Sequence, residues 1–256
     1  MKFRLSVMLI APLLALALSG VTHSSRAADN APRAEVEKIV REYILANPEI
    51  IKEAIVELQR REKAEESAGR EKFLAENANA LLRSSHQAVI GNPNGKITLV
   101  EFFDYNCGYC KKALSDVARL TKENPDLRVV LKNFPVLGQG SVEAAQIEAA
   151  VRNQFTGDRF FDYHTKLLST KGPVGRAQAM ALAKDMGADM GRLEADSREP
   201  EVMQGLTETM GIADKLALNG TPSWILGNDV IVGAVGFAEL KDKVSNMQKC
   251  GKSACS

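Results

Sequence analysis

Cys107-Gly108-Tyr109-Cys110 lies between an apolar run, Ile97 to Phe103, and a helix-like stretch, Lys111 to Thr121. The run predicts a buried strand that hands over directly to a helix. Two cysteines at that handover can close a small disulfide. The first sulfur meets the unpaired N–H groups and positive end of the helix, which favour a thiolate. The chain is therefore expected to carry thiol–disulfide chemistry on an α/β sheet.

Residues 1–27 read as a cleaved signal peptide, with Lys2 and Arg4 ahead of an apolar core from Leu5 to Leu18. Ser25-Arg26-Ala27 supplies small residues at the −3 and −1 positions of a cleavage site. The apolar core is shorter than the roughly 20 residues a spanning helix needs. No cysteine follows it closely enough for a lipid anchor. Cleavage there leaves 229 of the 256 residues, exported to the periplasm of a Gram-negative bacterium. In that oxidising compartment a Cys-x-x-Cys pair cycles more readily than it serves as half a zinc site. The 33 Lys and Arg against 32 Asp and Glu leave no basic excess for nucleic acid. No metal or cofactor is called for.

Residues 28–85 read as an N-terminal helical arm and linker. Val36, Ile39, Val40, Tyr43 and Ile44 recur at helical spacing, as do Ile50, Ile51, Ala54, Ile55 and Leu58. Between the two stripes, Asn47-Pro48 predicts an N-cap followed by proline at the first helical position. From Gln59 to Lys72 large apolar residues vanish, which fits a solvated helix or flexible connector. An apolar face cut off from its own domain in this way is expected to pair with copies of itself through residues 33–58.

Gly91-Asn92-Pro93-Asn94-Gly95 is a turn signal. Residues 86–256 then predict one α/β domain. A βαβ unit is formed by the strand and helix at the cysteines and a second strand at Leu127–Phe134. A helical insert at about 139–218 follows, with breaks at Gly172-Pro173, Gly187 and Gly211. Strands at Ser223–Leu226 and Val230–Val232 and a helix at Phe237–Lys249 close the domain.

Glu101 is the one charge inside the apolar strand, costly there unless it has a task. A carboxylate beneath a dithiol can exchange protons with the second cysteine. Gly220-Thr221-Pro222 directly precedes a strand. A cis-proline loop could approach the sulfurs and offer the Thr221 backbone to an extended substrate. Cys250 and Cys255, a Cys-x4-Cys pair in the tail, are expected to form a second, local disulfide. His86 and His164 show no triad or metal pattern, and Met180, Met186, Met190, Met203 and Met210 read as adaptable core or client contacts.

Together, Glu101-Phe102-Phe103-Asp104-Tyr105-Asn106-Cys107-Gly108-Tyr109-Cys110, the helical insert and Thr221-Pro222 resemble the Dsb branch of the thioredoxin superfamily over roughly residues 96–249. The resemblance implies a thioredoxin fold with an inserted helical domain. It also implies Cys107 as nucleophile, Cys110 as resolving thiol, Glu101 as buried acid and Pro222 as a cis-proline. Substrate would meet Gly108, Tyr109, Thr221 and Pro222. Where DsbA carries Pro-His between its cysteines, this chain carries Gly-Tyr, similar to the isomerase DsbC. A helical arm ahead of such a domain resembles the ScsC group, which includes trimeric isomerases. That likeness implies a disulfide isomerase or reductase acting on misoxidised exported proteins, recharged by a membrane partner of DsbD or ScsB type. Its alternatives are a disulfide-forming oxidase and a copper-tolerance protein binding Cu(I) through Cys107 and Cys110.

Overall fold

The computed structural model describes residues 32–255, so the expected signal peptide, residues 1–27, lies outside the described residues. The chain divides after Arg61 into two compact units.

In the first unit, α1 (Arg33–Ala46) is followed by α2 (Glu49–Glu76), whose residues through Arg61 belong to this unit. No residue of α1 is buried, and Val36, Ile39, Val40 and Tyr43 are each about half exposed or more. Asn47 acts at the other end of the break from the one expected. Its backbone N–H and its side-chain amide both donate to the Tyr43 carbonyl, closing the C-terminus of α1. Toward α2 Asn47 offers only its carbonyl, which accepts the Ile50 N–H at 3.2 Å.

The second unit is built on a five-stranded sheet in the order β1-β3-β2-β4-β5. Its strands are β1 (Ala88–Gly91), β2 (Ile97–Phe103), β3 (Leu127–Asn133), β4 (Ser223–Leu226) and β5 (Asp229–Val232). The central β2 and β3 are parallel, joined by α4 (Gly108–Glu123), and the other pairings are antiparallel. Alternation along β2 sends Leu99 and Phe103 into one core with Val117, Leu120, Trp224 and Val244. Val100 and Phe102 enter a second core on the opposite face with Val130, Ile212 and Ile225. Burial on both faces explains why β2 reads as an unbroken apolar run.

The insert comprises α5 (Gln139–Val151), α6 (Gly157–Leu168), α7 (Arg176–Asp185), α8 (Met190–Asp196) and α9 (Pro200–Lys215), and α10 (Phe237–Cys250) closes the domain. Gly211 does not break the insert. It lies inside α9, where Ile212 and Ala213 bury against the second core. That packing outweighs the roughly 1 kcal/mol intrinsic cost of a helical glycine.

Residues 59–72 take the solvated-helix form of the two expected, exposed along α2 apart from Arg70. Residues 62–85 belong to the second unit, as the C-terminal part of α2 and the short α3 (Ala78–Leu82), so the linker does not run on to residue 85. Leu74 and Leu81 are buried in the second core with Val100 and Phe102. Two basic side chains of β3 fasten the end of α3. Lys132, fully buried, donates to the Ala80 carbonyl at 2.5 Å, and Arg128 donates to the Leu82 carbonyl at 2.8 Å. Leu81→Ala is accordingly expected to destabilise this unit by about 2–5 kcal/mol in a urea melt, the cost of a core truncation. A change below about 0.5 kcal/mol, the usual size for a surface site, would restore the connector reading.

Candidate active site

The two cysteines are positioned by the start of α4. Cys107 is its N-cap residue, in an extended conformation, and the Cys107 carbonyl accepts the Lys111 N–H at 3.1 Å. Cys110 falls in the first turn and is fully buried, while Cys107 is 6% exposed. Both are free thiols in this structure. The Thr221-Pro222 bond is cis, and the loop lies against the dithiol, with the Cys107 thiol donating to the Thr221 carbonyl at 3.1 Å.

Glu101 sits in the middle of β2, opposite Leu131 on one side and Trp224 on the other. Burial pushes its carboxyl up to about 8. Burial also pushes the Cys110 thiol well up, and the nearby Glu101 adds to that rise. An acid titrating near neutrality beside a thiol that holds its proton tightly is a pair suited to proton transfer.

The structure thus brings Glu101, Cys107, Cys110, Thr221 and Pro222 together. Gly108 and Tyr109 form the outer surface of the first turn. A side chain at Gly108 would meet open space, and Tyr109 is 62% exposed, with Lys112 Nζ 5.3 Å from its ring centre. Cys250 and Cys255 are bonded to each other at the end of α10, with their Cα atoms 6.1 Å apart. His164 is buried against Phe160, Phe161 and Phe103, its Nδ1 3.0 Å from the Tyr105 hydroxyl. Burial pulls its imidazole down to about 3, so it is neutral at neutral pH. Met180, Met186 and Met190 pack on the core, whereas Met203 and Met210 are exposed. Among the described residues no group of three or more His, Cys, Asp or Glu could hold a metal ion, and no helix is long and apolar enough to cross a membrane.

Sequence reading attached no role to Asp104, Asn106 or Ser141, whose side chains form a hydrogen-bonded cluster next to Cys107. The available signal was an acidic residue closing an apolar strand.

Residues 98–245, more than half of the chain, match the model of the DSBA-like thioredoxin domain. The chain belongs to the DsbA-like thioredoxin family. Residues 33–65 of this DsbA-like protein match a second family, described as the copper resistance protein ScsC N-terminal domain. A thioredoxin-like oxidoreductase from Silicibacter pomeroyi DSS-3 is 34% identical, with a TM-score of 0.63 over 67% of this chain and 98% of that one. A linker-deleted mutant of Proteus mirabilis ScsC is 28% identical, with a TM-score of 0.64 over 88% of this chain and 99% of that one. Among curated proteins, Na(+)/H(+) antiporter NhaA 1 of Salinispora arenicola is 25% identical over 62% of the chain. The chain spans about a quarter of that relative's length, covering 24% of it.

Proposed function

We propose that this protein is a periplasmic thiol–disulfide oxidoreductase that isomerises or reduces wrongly paired disulfides in exported proteins. The observation that carries the reading is the contact of the Cys107 thiol with the Thr221 carbonyl, over a Cys110 buried beside Glu101. Cys107 as thiolate attacks one sulfur of a client disulfide. A Cys107–client bond forms, the client disulfide breaks, and the other client sulfur leaves as a thiolate. In isomerisation that thiolate attacks a different client disulfide, and the client thiolate this releases attacks the client sulfur held by Cys107, breaking the mixed disulfide and freeing Cys107 as thiolate; in reduction Cys110 instead displaces the client thiolate and closes Cys107–Cys110. When Cys110 attacks, its proton passes to Glu101 in the minority of molecules whose carboxyl is ionised at neutral pH, a fraction that grows as pH nears 8. The backbone of Thr221, just before cis-Pro222, is placed to pair with an extended client segment, as in strand addition. Gly108 and Tyr109 face the same client.

Each turn in which Cys107–Cys110 closes leaves the pair oxidised, and returning it to the dithiol is the task of a membrane partner of DsbD or ScsB type. Isomerisation is favoured over oxidation by the Gly-Tyr dipeptide, which lacks the Pro-His of DsbA. It is also favoured by the apolar faces of α1 and α2, through which residues 33–58 would join copies, trimers first. The proposed division is a signal peptide at 1–27, an arm at 28–61 and a catalytic domain at 62–256.

Reactivation of scrambled ribonuclease, compared with oxidation of the fully reduced enzyme, tests this reading. The protein is expected to restore the scrambled enzyme. Cys107→Ser is expected to fall to background, a loss of about 1,000-fold or more for a removed nucleophile. Rapid oxidation of reduced ribonuclease with no effect on the scrambled form would make the protein an oxidase.

A further inference from the structure

We propose that Asp104 is a positioning residue for the dithiol, a bracket that holds both cysteines against the start of the helical insert. The proposal rests on reading Cys107 and Cys110 as the redox pair. Asp104 immediately follows β2 and is 2% exposed. A carboxylate so buried is costly unless donors surround it, and here four do. Oδ1 accepts from the Asn106 N–H and the Ser141 hydroxyl, both at 2.7 Å. Oδ2 accepts from the N–H groups of Val136 and Leu137 at 2.9 and 3.0 Å. Three of the four thus tie the loop before Cys107 to the loop after β3 and to α5, and the fourth closes that loop on itself.

The main chain of the same residue reaches the cysteines. Its carbonyl accepts the Cys107 N–H at 3.0 Å, and its main chain offsets part of the rise that burial and Glu101 impose on the Cys110 thiol. Asn106 extends the bracket to the loop between α6 and α7. Its Oδ1 accepts the Val174 N–H at 2.7 Å, and its Nδ2 donates to the Val174 carbonyl at 2.8 Å and to Ser141 Oγ at 3.0 Å. The segments close so tightly that a Cβ on Gly140 would stand 3.0 Å from the Val174 carbonyl oxygen. The Asp104 carboxylate therefore ties the segment before the dithiol to two other parts of the chain, and the Asn106 amide adds a third. Without the carboxylate, three main-chain N–H groups, of Asn106, Val136 and Leu137, lose their acceptor next to the site, and the loop leading into Cys107 is released.

Pulse alkylation of the reduced full-length protein with iodoacetamide, read separately at Cys107 and Cys110 by mass spectrometry, tests the bracket. In the unaltered protein Cys107 is labelled first. Asp104→Ala is expected to raise the Cys110:Cys107 labelling ratio about tenfold and to slow exchange with a peptide disulfide about tenfold, the scale of a small misplacement of reacting groups. Asp104→Asn, which keeps one acceptor oxygen, falls between. Ser141→Ala, which removes one donor, shifts the ratio about threefold and stands in should Asp104→Ala not fold. Asp229→Asn is the control for a loss of structure alone. Asp229 accepts from Lys243 at 2.8 Å and Ser253 at 3.0 Å and touches neither cysteine. It is expected to leave ratio and rate unchanged. Unaltered ratios in Asp104→Asn and Ser141→Ala, or an equal shift in Asp229→Asn, overturn the proposal. Absence of exchange by the unaltered protein would instead overturn the redox reading, while the labelling ratio still reports on Asp104.

Discussion

Replacing Glu101 with Gln is expected to stabilise the reduced protein by about 3–5 kcal/mol at pH 8 and by almost nothing at pH 4. In the folded protein burial raises this carboxyl from an ordinary 4.5 to about 8. Below pH 4.5 both folded and unfolded chains hold the proton, so the carboxyl and the amide differ little. Between pH 4.5 and pH 8 the unfolded chain releases the proton and the folded one keeps it, so stability falls as pH rises, by about 1.4 kcal/mol per unit. Above pH 8 the loss is complete. Glutamine never ionises and escapes it. Urea melts of both proteins at pH 4, 6 and 8 measure the effect, and a difference that does not grow with pH would show that Glu101 is not a buried titrating group. The same variant is expected to release mixed disulfides more slowly, by about 100-fold, since Cys110 loses its proton acceptor. Stability gained and turnover lost in one substitution is the signature of an acid retained for its chemistry.

What the sequence shows of this protein follows from how local each feature is. β2, α4 and the dithiol were readable because β2 is buried on both faces, making an unbroken apolar run in which Glu101 stands out. Thr221-Pro222 was readable because proline at the mouth of a strand is a local signal, although its contact with Cys107 spans 114 positions. The edge strand β1 was missed: it is four residues long and is defined by pairing with β3 about forty positions away. Residues 59–72 hold no large apolar side chain, and the apolar pattern that resumes at Phe73, Leu74, Leu81 and Leu82 does not say what it covers. Those four side chains find the back of the sheet, and Lys132 meets the Ala80 carbonyl from 52 positions off. Asp104 was silent for the same reason. Three of its four donors lie 32 to 37 positions downstream, so nothing near it in sequence shows a buried carboxylate fully supplied with partners.

Ile39→Glu combined with Ile55→Glu is expected to convert the protein to a monomer that keeps its dithiol but loses most of its reshuffling. Ile39 is 57% exposed and Ile55 50% exposed in the single chain, within stripes that also expose Val36, Val40, Tyr43, Ile51 and Leu58. Each such side chain, fully buried between copies, stabilises the assembly by about 1.5–3 kcal/mol, so the stripe can hold an oligomer by itself. Placing two carboxylates in it makes assembly costly on every copy, because an unpaired charge must be desolvated. The catalytic unit has its own two cores, neither containing residues of the stripe, and is expected to melt unchanged. Reshuffling depends on several dithiols meeting one client before it escapes. Tethered copies raise the effective concentration of the second dithiol to roughly the millimolar range, far above free protein. Sedimentation should show the mass falling to that of one chain. Reactivation of scrambled ribonuclease should drop about tenfold or more per active site, while reduction of a small peptide disulfide stays unchanged. An intact oligomer would place the interface elsewhere on the chain. A monomer that reshuffles at full rate would mean that a single dithiol suffices, leaving the apolar arm without a part in catalysis.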